Sequence, residues 1–437
     1  MDPRRANTTS SLTPMNAHAG PPPTIALIDP LWYGHHPMYF AQFTTSFLKA
    51  GARVIGLCPE PAEATADAIT AAAFRGIPDA AERISMHHLP AGKRSWFGNR
   101  FEGDPWRTFQ RWRRAANALD EAEALTRWHA DLVYFPYLDS YLRFLPVAQV
   151  PATTFGRPWS GLYLRNHHHA EPPSPKRQLR FLAKGDALMR SDLCRGIGVL
   201  DERFNGSLEA YTGQPVVSYP DATNTEITPE PTALARTVLA EARGRKIIGL
   251  IGLEKRKGLL TLLKVAVEAD RLKLPWFFVC GGVFGRHLFQ PDEQAFIDGI
   301  VARVQSGGLD NLHFDPAAKR IGTDAEFNSL FSTFNIAWTA YEGFEGSSGA
   351  LTKAAEFNIP SLATAGECIG ARVERHRIGL AIPEGDPTKA LEAIRRIFEA
   401  KDWDDRPLNP DYETYRSEHN LARLDTILAA LVAGVIP

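Results

Sequence analysis

Apolar residues in this chain fall in short blocks, separated by segments in which they recur at every third or fourth position. The first block is TIALIDP at 24–30. It is too short for a helix and almost wholly apolar, as expected of a strand covered on both faces. After the loop WYGHHP, residues 38–51 carry Phe40, Phe43, Phe47 and Leu48 at helical spacing and close on Gly51, a good helix cap. RVIGLCP at 53–59 is the next strand. The pattern predicts a β-loop-α-β unit, the opening of a right-handed parallel sheet. The stretch from about 60 to 130 reads as mostly helical. Further strands are expected at DLVYFPY (131–137), VPATTFG (150–156), the IGVL core of 193–202 and PVVSYPDA (215–222).

A second series opens after a connector rich in Thr, Pro and Glu at 223–245. Its strands are KIIGLIG (246–252), WFFVCGG (276–282), NLHFDP (311–316), NIAWTAY (335–341), IPSLATA (359–365) and GLAIPEGD (379–386). Helical patterns lie between them at LLTLLKVAVEADRL, 325–334, 349–358 and 387–400, and YETYRSEHNLARLDTILAALVAGV reads as one terminal helix. Strands alternating with helices twice over predict an α/β protein of two Rossmann-like, doubly wound parallel-sheet domains. The length of 437 residues agrees, because a single core stops growing at roughly 250–300 residues. The expected division is a disordered leader at 1–23, a first domain at 24–218, a second at 219–402, and a C-terminal helix at 403–437 crossing back to the first.

Charge and composition narrow the function. A formal net charge of −1 gives no global attraction for nucleic acid, so any anion site must be local. The four cysteines are far apart and lack zinc-ligand spacing; no metal is expected. No apolar run approaches the roughly 20 residues of a membrane span, and the leader lacks a secretory apolar stretch. A cytoplasmic protein is expected, peripheral at the inner membrane face if its acceptor is a lipid. The GxGxxG fingerprint is absent after the first strand, which argues against a dehydrogenase.

In open parallel sheets, ligands bind beyond the carboxyl ends of the strands. Three strand-end loops have unusual composition. Gly34-His35-His36-Pro37 combines a permissive glycine and two imidazoles with a helix start. Glu254-Lys255-Arg256-Lys257-Gly258 sets three cations at a helix start, where they oppose the helix dipole unless an anion sits between them. A diphosphate meets that need, with Arg256 as a fork and Lys257 as a point charge. In Tyr341-Glu342-Gly343-Phe344-Glu345-Gly346-Ser347-Ser348-Gly349, small residues let backbone amides and two hydroxyls face a phosphate. Its carboxylates would suit neutral hydroxyls, as on a sugar or ribose. His167, in the run Asn166-His167-His168-His169, and Trp106, in the basic aromatic stretch 93–114, are candidates for an acceptor; a core-facing amphipathic helix is the competing reading of that stretch.

At the third loop the chain resembles the GT-B glycosyltransferases, in particular the large retaining group that uses nucleotide-diphosphate sugars. The resemblance spans most of 24–435. The GHHP loop matches that group's glycine-rich loop, and Tyr219-Pro220-Asp221-Ala222-Thr223-Asn224 stands at its turn into the second domain. Gly252 and Lys257-Gly258 match its Gly-Arg-…-Lys-Gly stretch, with Leu253 in place of the Arg and Arg256 able to supply the guanidinium. Glu342-Gly343-Phe344 matches its Glu-Gly-Phe words, but Lys353 occupies the place of the second Glu. Counting back eight positions from Lys353 reaches Glu345, so either Glu342 or Glu345 takes the first role.

The resemblance implies a cleft between domains, acceptor contacts from the first and donor contacts from the second. It implies a glycosyltransferase with a nucleotide-sugar donor, a carbohydrate or lipid-linked acceptor and no required cofactor or metal. Expected catalytic residues are His35, His36 and Glu345. Expected donor contacts are Gly34, Arg256, Lys257, Glu342, Ser347, Ser348, Gly349 and Lys353, with acceptor contacts from His167 and Trp106. The alternatives are a non-catalytic GT-B scaffold that binds a glycan or partner enzyme, and a nucleotide-sugar epimerase.

Overall fold

The computed structural model describes residues 21–90, 105–142, 155–166, 174, 175, 179, 185–224, 228, 230–318, 320–399, 402, 403, 406, 407 and 409–434. The first domain has seven parallel strands in the order β3-β2-β1-β4-β5-β6-β7. These are β1 Thr24–Ile28, β2 Arg53–Cys58, β3 Ile84–His88, β4 Leu132–Phe135, β5 Trp159–Tyr163, β6 Cys194–Val199 and β7 Val216–Ser218. The second has six parallel strands in the order β10-β9-β8-β11-β12-β13. They are β8 Lys246–Leu253, β9 Trp276–Phe284, β10 Leu312–Phe314, β11 Ile336–Thr339, β12 Ser361–Thr364 and β13 Gly379–Ile382.

The continuous apolar strands follow from burial on both faces. Along β1, Ala26 and Ile28 pack with Trp112 and Leu119 of the helix Pro105–Thr126. Ile25 and Leu27 point the other way, toward Phe40, Phe43 and Phe47 of the helix His36–Lys49. Alternate side chains thus enter two different cores, and a polar residue at either parity would be buried. The second sheet repeats this: Ile248 and Leu250 join Leu259, Leu262 and Leu263, while Ile247 joins Phe331 and Phe334. Gly249 is required there, because a Cβ would lie 2.2 Å from the Phe334 ring.

Two strands escape the sequence pattern. β3 (ISMHH) is a half-buried edge strand with two histidines. In β5 (WSGLY), Ser160 and Gly161 interrupt the apolar run. Ser160 stays buried by donating to the Gly196 carbonyl at 2.8 Å, and a Cβ on Gly161 would come 2.7 Å from the Phe135 carbonyl. Most of the strand expected at 150–156 lies outside the described residues. The helices Pro291–Gln305 and Cys368–His376 also emerge only in the structure.

The terminal helix is two helices, Tyr412–Glu418 and Leu421–Val432. Asn420 breaks it by taking an extended conformation and accepting the Arg423 amide at 2.9 Å, a side-chain N-cap. Leu424, Leu428 and Leu431 of the second helix lie in the first domain's core, and Asp425 pairs with Arg75 and Lys49. Among the described residues, no helix is long and apolar enough to cross a membrane.

Candidate functional site

Both sheets reverse strand order between their first and fourth strands, at β1/β4 and β8/β11. Connections leave in opposite directions there, so the loops beyond those strand ends part and leave a crevice.

In the first domain the crevice is lined by the residues after β1 and β4. Asp29, fully buried, accepts the Leu31 amide at 3.0 Å. His36 Nδ1 lies 2.8 and 3.0 Å from the two Asp29 oxygens. Tyr137 stacks on the His36 ring with centroids 3.7 Å apart. Burial raises the Asp29 pKa, against the lowering effect of His36. A carboxylate on Nδ1 fixes the tautomer that leaves Nε2 as an acceptor. Gly34, at φ +64, has open space where a Cβ would sit. His35 keeps solvent contact, yet the surrounding protein lowers its pKa; Asp221 opposes the shift, and Lys257 and Arg256 add to it. Those cations belong to the other domain, so the two crevices lie within electrostatic reach of each other.

In the second domain, the loops after β8 and β11 are joined. The Glu342 amide donates to the Arg256 carbonyl at 2.8 Å, and Thr261 Oγ1 donates to the Glu342 carboxylate at 2.6 Å. The Arg256 guanidinium lies 5.2 Å from the Phe344 ring centre, and the Lys257 ammonium 5.7 Å from that of Tyr341. The cationic turn and the glycine-serine loop therefore share one face. Gly258 makes the approach: it sits at φ +76, and a Cβ there would lie 2.3 Å from the Ala340 carbonyl.

The three cations are not equivalent. Lys255 turns away to Glu293 at 2.5 Å, and Arg256 pairs with Glu254 at 2.6 Å while staying exposed. Lys257 donates to the Ile251 carbonyl at 3.0 Å, in space that only Gly252 leaves open. Leu253, at the position of the family's Arg, is fully buried core.

On the facing loop, Ser348 caps the helix Gly349–Glu356 by accepting the Ala350 amide and donates to the Tyr341 hydroxyl at 3.1 Å. Ser347 donates to Asp221 at 2.6 Å and accepts from Arg372 at 2.5 Å. Among the described residues, the Ser347, Ser348 and Gly349 amides have no protein acceptor; Ser348 and Gly349 open the helix, whose first donors lack intrahelical partners. The Gly343 amide is taken by Glu384 at 2.9 Å. Glu345 is exposed and acts electrostatically on Glu367.

Lys353 lies apart from this face. Its ammonium is buried, donates to the Asn224 carbonyl at 2.7 Å and to Asn328 Oδ1, and sits 4.8 Å from the Phe327 ring centre. Burial pushes its pKa down to about 8. His167 and the Trp106 side chain lie outside the described residues. Asn166 is buried and bonded to the Asp201 carbonyl at 2.9 Å, and Trp112 is core, bonded to the Tyr141 carbonyl at 3.0 Å. Asp201, Glu202 and Cys368 group their ligand atoms closely, but Arg203 and Arg372 already hold the two carboxylates.

Sequence reasoning did not single out Asp29, Tyr137, Arg372 or Glu202. Asp29 and Tyr137 carried the available signal, strand-end position.

No protein-family model matches the sequence, and no curated protein matches it. Solved structures do. Sucrose-phosphate synthase from Thermosynechococcus elongatus superposes with a TM-score of 0.62 at 17% identity, over 94% of this chain and 98% of that one. HepE of Anabaena, solved with UDP and glucose, gives 0.61 at 12% identity, over 94% and 99%. A UDP-forming trehalose-phosphate synthase from Burkholderia xenovorans gives 0.60 at 14%, over 95% and 99%. The chain has the GT-B fold. In this GT-B chain the first domain presents an aromatic, imidazole-bearing crevice, and the second a cationic, amide-rich one.

Proposed function

We propose that this chain is a glycosyltransferase, moving a sugar from a nucleotide-diphosphate donor to an acceptor hydroxyl. The observation that carries the reading is the shared face of the second domain. There Arg256 and Lys257 lie over Phe344 and Tyr341 of the loop that carries the Ser347, Ser348 and Gly349 amides, which have no acceptor among the described residues, and both cations act electrostatically on His35. Two cations and a helix N-terminus make a place for a diphosphate. The charge building on it as the sugar departs is stabilised there without reorganisation. HepE is solved with UDP-glucose as well as with UDP and glucose, which supports a nucleotide-sugar donor here.

Glu345 or Glu342 holds sugar or ribose hydroxyls; Glu345 is exposed, and Glu342 is bonded to Thr261. His36, oriented by Asp29, supplies an acceptor nitrogen in the first domain's crevice, where the acceptor hydroxyl belongs. Retention of configuration, a cation clamp in place of a metal, and a role in polysaccharide or glycolipid synthesis at the cytoplasmic membrane face complete the proposal.

The test is a melting screen with UDP, GDP and ADP, followed by acceptor trials with the matching sugar nucleotides. A ligand at 100 times its dissociation constant adds about 2.7 kcal/mol of stability. Absence of any shift would favour the second reading, a glycan-binding scaffold, which the commitment of Glu342 to Thr261 and of Lys353 to Asn224 supports.

A further inference from the structure

Arg372 is a fully charged side chain, 2% exposed, in the helix Cys368–His376 of the second domain. Its guanidinium spends its donors on two segments, one from each domain. Nε lies 3.2 Å from both Glu202 oxygens and Nη2 donates to Glu202 at 2.6 Å. Nη2 also donates to the Leu200 carbonyl, and Nη1 to Ser347 Oγ at 2.5 Å. Leu200 and Glu202 follow β6 of the first domain. Ser347 belongs to the loop facing the cationic turn, and its hydroxyl continues to Asp221 in the interdomain turn. A planar fork with fixed donor directions makes these bonds at once only at one relative placement of the segments. Arg203 adds a parallel tie, donating from the first domain to the Gly366 carbonyl of the second at 2.8 Å.

We propose that Arg372 is a positioning residue that sets the angle between the domains and, through Ser347, the shape of the loop assigned to the donor diphosphate. The second half of that proposal rests on the glycosyltransferase reading; the first does not. Burying an arginine for stability alone is a poor bargain, because an apolar replacement of similar volume often does as well. Its bonding to a segment of each domain instead specifies a geometry. Domain closure and the Ser347 hydroxyl move together because one guanidinium holds both.

The test uses spin labels on Ala66→Cys and Glu392→Cys, exposed positions on opposite domains; the four native cysteines are buried. Interdomain distances are measured by double electron–electron resonance, and affinity by titration with UDP, GDP and ADP. Arg372→Lys keeps the charge and loses the fork; Glu202→Gln is the milder lesion should that variant fold poorly. Both are expected to broaden or shift the distance distribution and weaken the best nucleotide about tenfold. Ser347→Ala is expected to weaken the nucleotide without moving the distances. Unchanged distances in both Arg372→Lys and Glu202→Gln would overturn the proposal. Shifted distances with no nucleotide bound even by the wild type would uphold the clasp while removing the donor reading.

Discussion

The two domains use one strand order and place opposite chemistry at its reversal. Beyond β1 and β4 lie a buried carboxylate, an imidazole and a stacked tyrosine, Asp29, His36 and Tyr137. Beyond β8 and β11 lie two cations and a row of amides without an acceptor among the described residues. The shared topology supplies only a crevice. What each crevice can do depends on loops a few residues long, so fold and function are separate inferences. Under the proposed function, one half would take a proton from a hydroxyl and the other would hold phosphate charge.

The sharpest way to break this division is at His36 and Asp29. His36→Ala and Asp29→Asn are expected to lower turnover by about 10²- to 10⁴-fold, the usual range for a positioned acid–base group. Nucleoside diphosphate affinity should stay within about threefold, since uniform binding is untouched. Steady-state kinetics and titration on the same samples separate the two. A parallel loss of affinity would mean that the crevices are not functionally distinct.

Glycines at the two reversals give the next contrast. Gly258→Ala combines a left-handed backbone with a Cβ driven into the Ala340 carbonyl, and should cost about 2–3 kcal/mol in denaturant unfolding. Gly34→Ala meets open space and should cost only about 1 kcal/mol. Equal costs would show that the β8–β11 loop junction is looser than its contacts indicate.

Arg256→Ala and Lys257→Ala should each weaken nucleoside diphosphate binding about tenfold, with a reduced dependence on salt, as expected for loss of one charge-assisted contact. Unchanged affinity in both removes the phosphate clamp.

A further contrast sits between the halves. His419 Nδ1 accepts the Asp221 amide at 3.3 Å, and burial, reinforced by Arg372, holds its pKa down at about 2. An unfolded histidine titrates near 6.5, so between about 6.5 and 2 the unfolded chain binds a proton that folded His419 refuses. Its contribution is complete above that window and is lost as pH falls through it, with a slope approaching about 1.4 kcal/mol per pH unit. His419→Gln should flatten the measured acid dependence of stability by that amount; an unchanged slope would place the proton elsewhere.

Much of the fold is legible because burial on both sheet faces leaves no polar position, and the runs at Thr24–Ile28, Lys246–Leu253 and Trp276–Phe284 announce themselves. β5 and the helix Cys368–His376 stay hidden for the opposite reason: each buries a polar group whose partner is distant in sequence, Ser160 on Gly196 and Arg372 on Glu202. The same holds for the site. Its loops are visible in composition, because consecutive cations and a glycine-serine run at strand ends are unusual. The division of labour inside them is not. That Lys255 turns to Glu293, that Glu342 is taken by Thr261 and that Lys353 serves Asn224 are tertiary facts with no local signature.

Hydrogen–deuterium exchange with and without the best-binding nucleoside diphosphate tests most directly which reversal holds the phosphates. Slowed exchange strongest at the amides of 345–350 and 255–259 is the expected result. Protection confined to 33–38 would contradict the assignment.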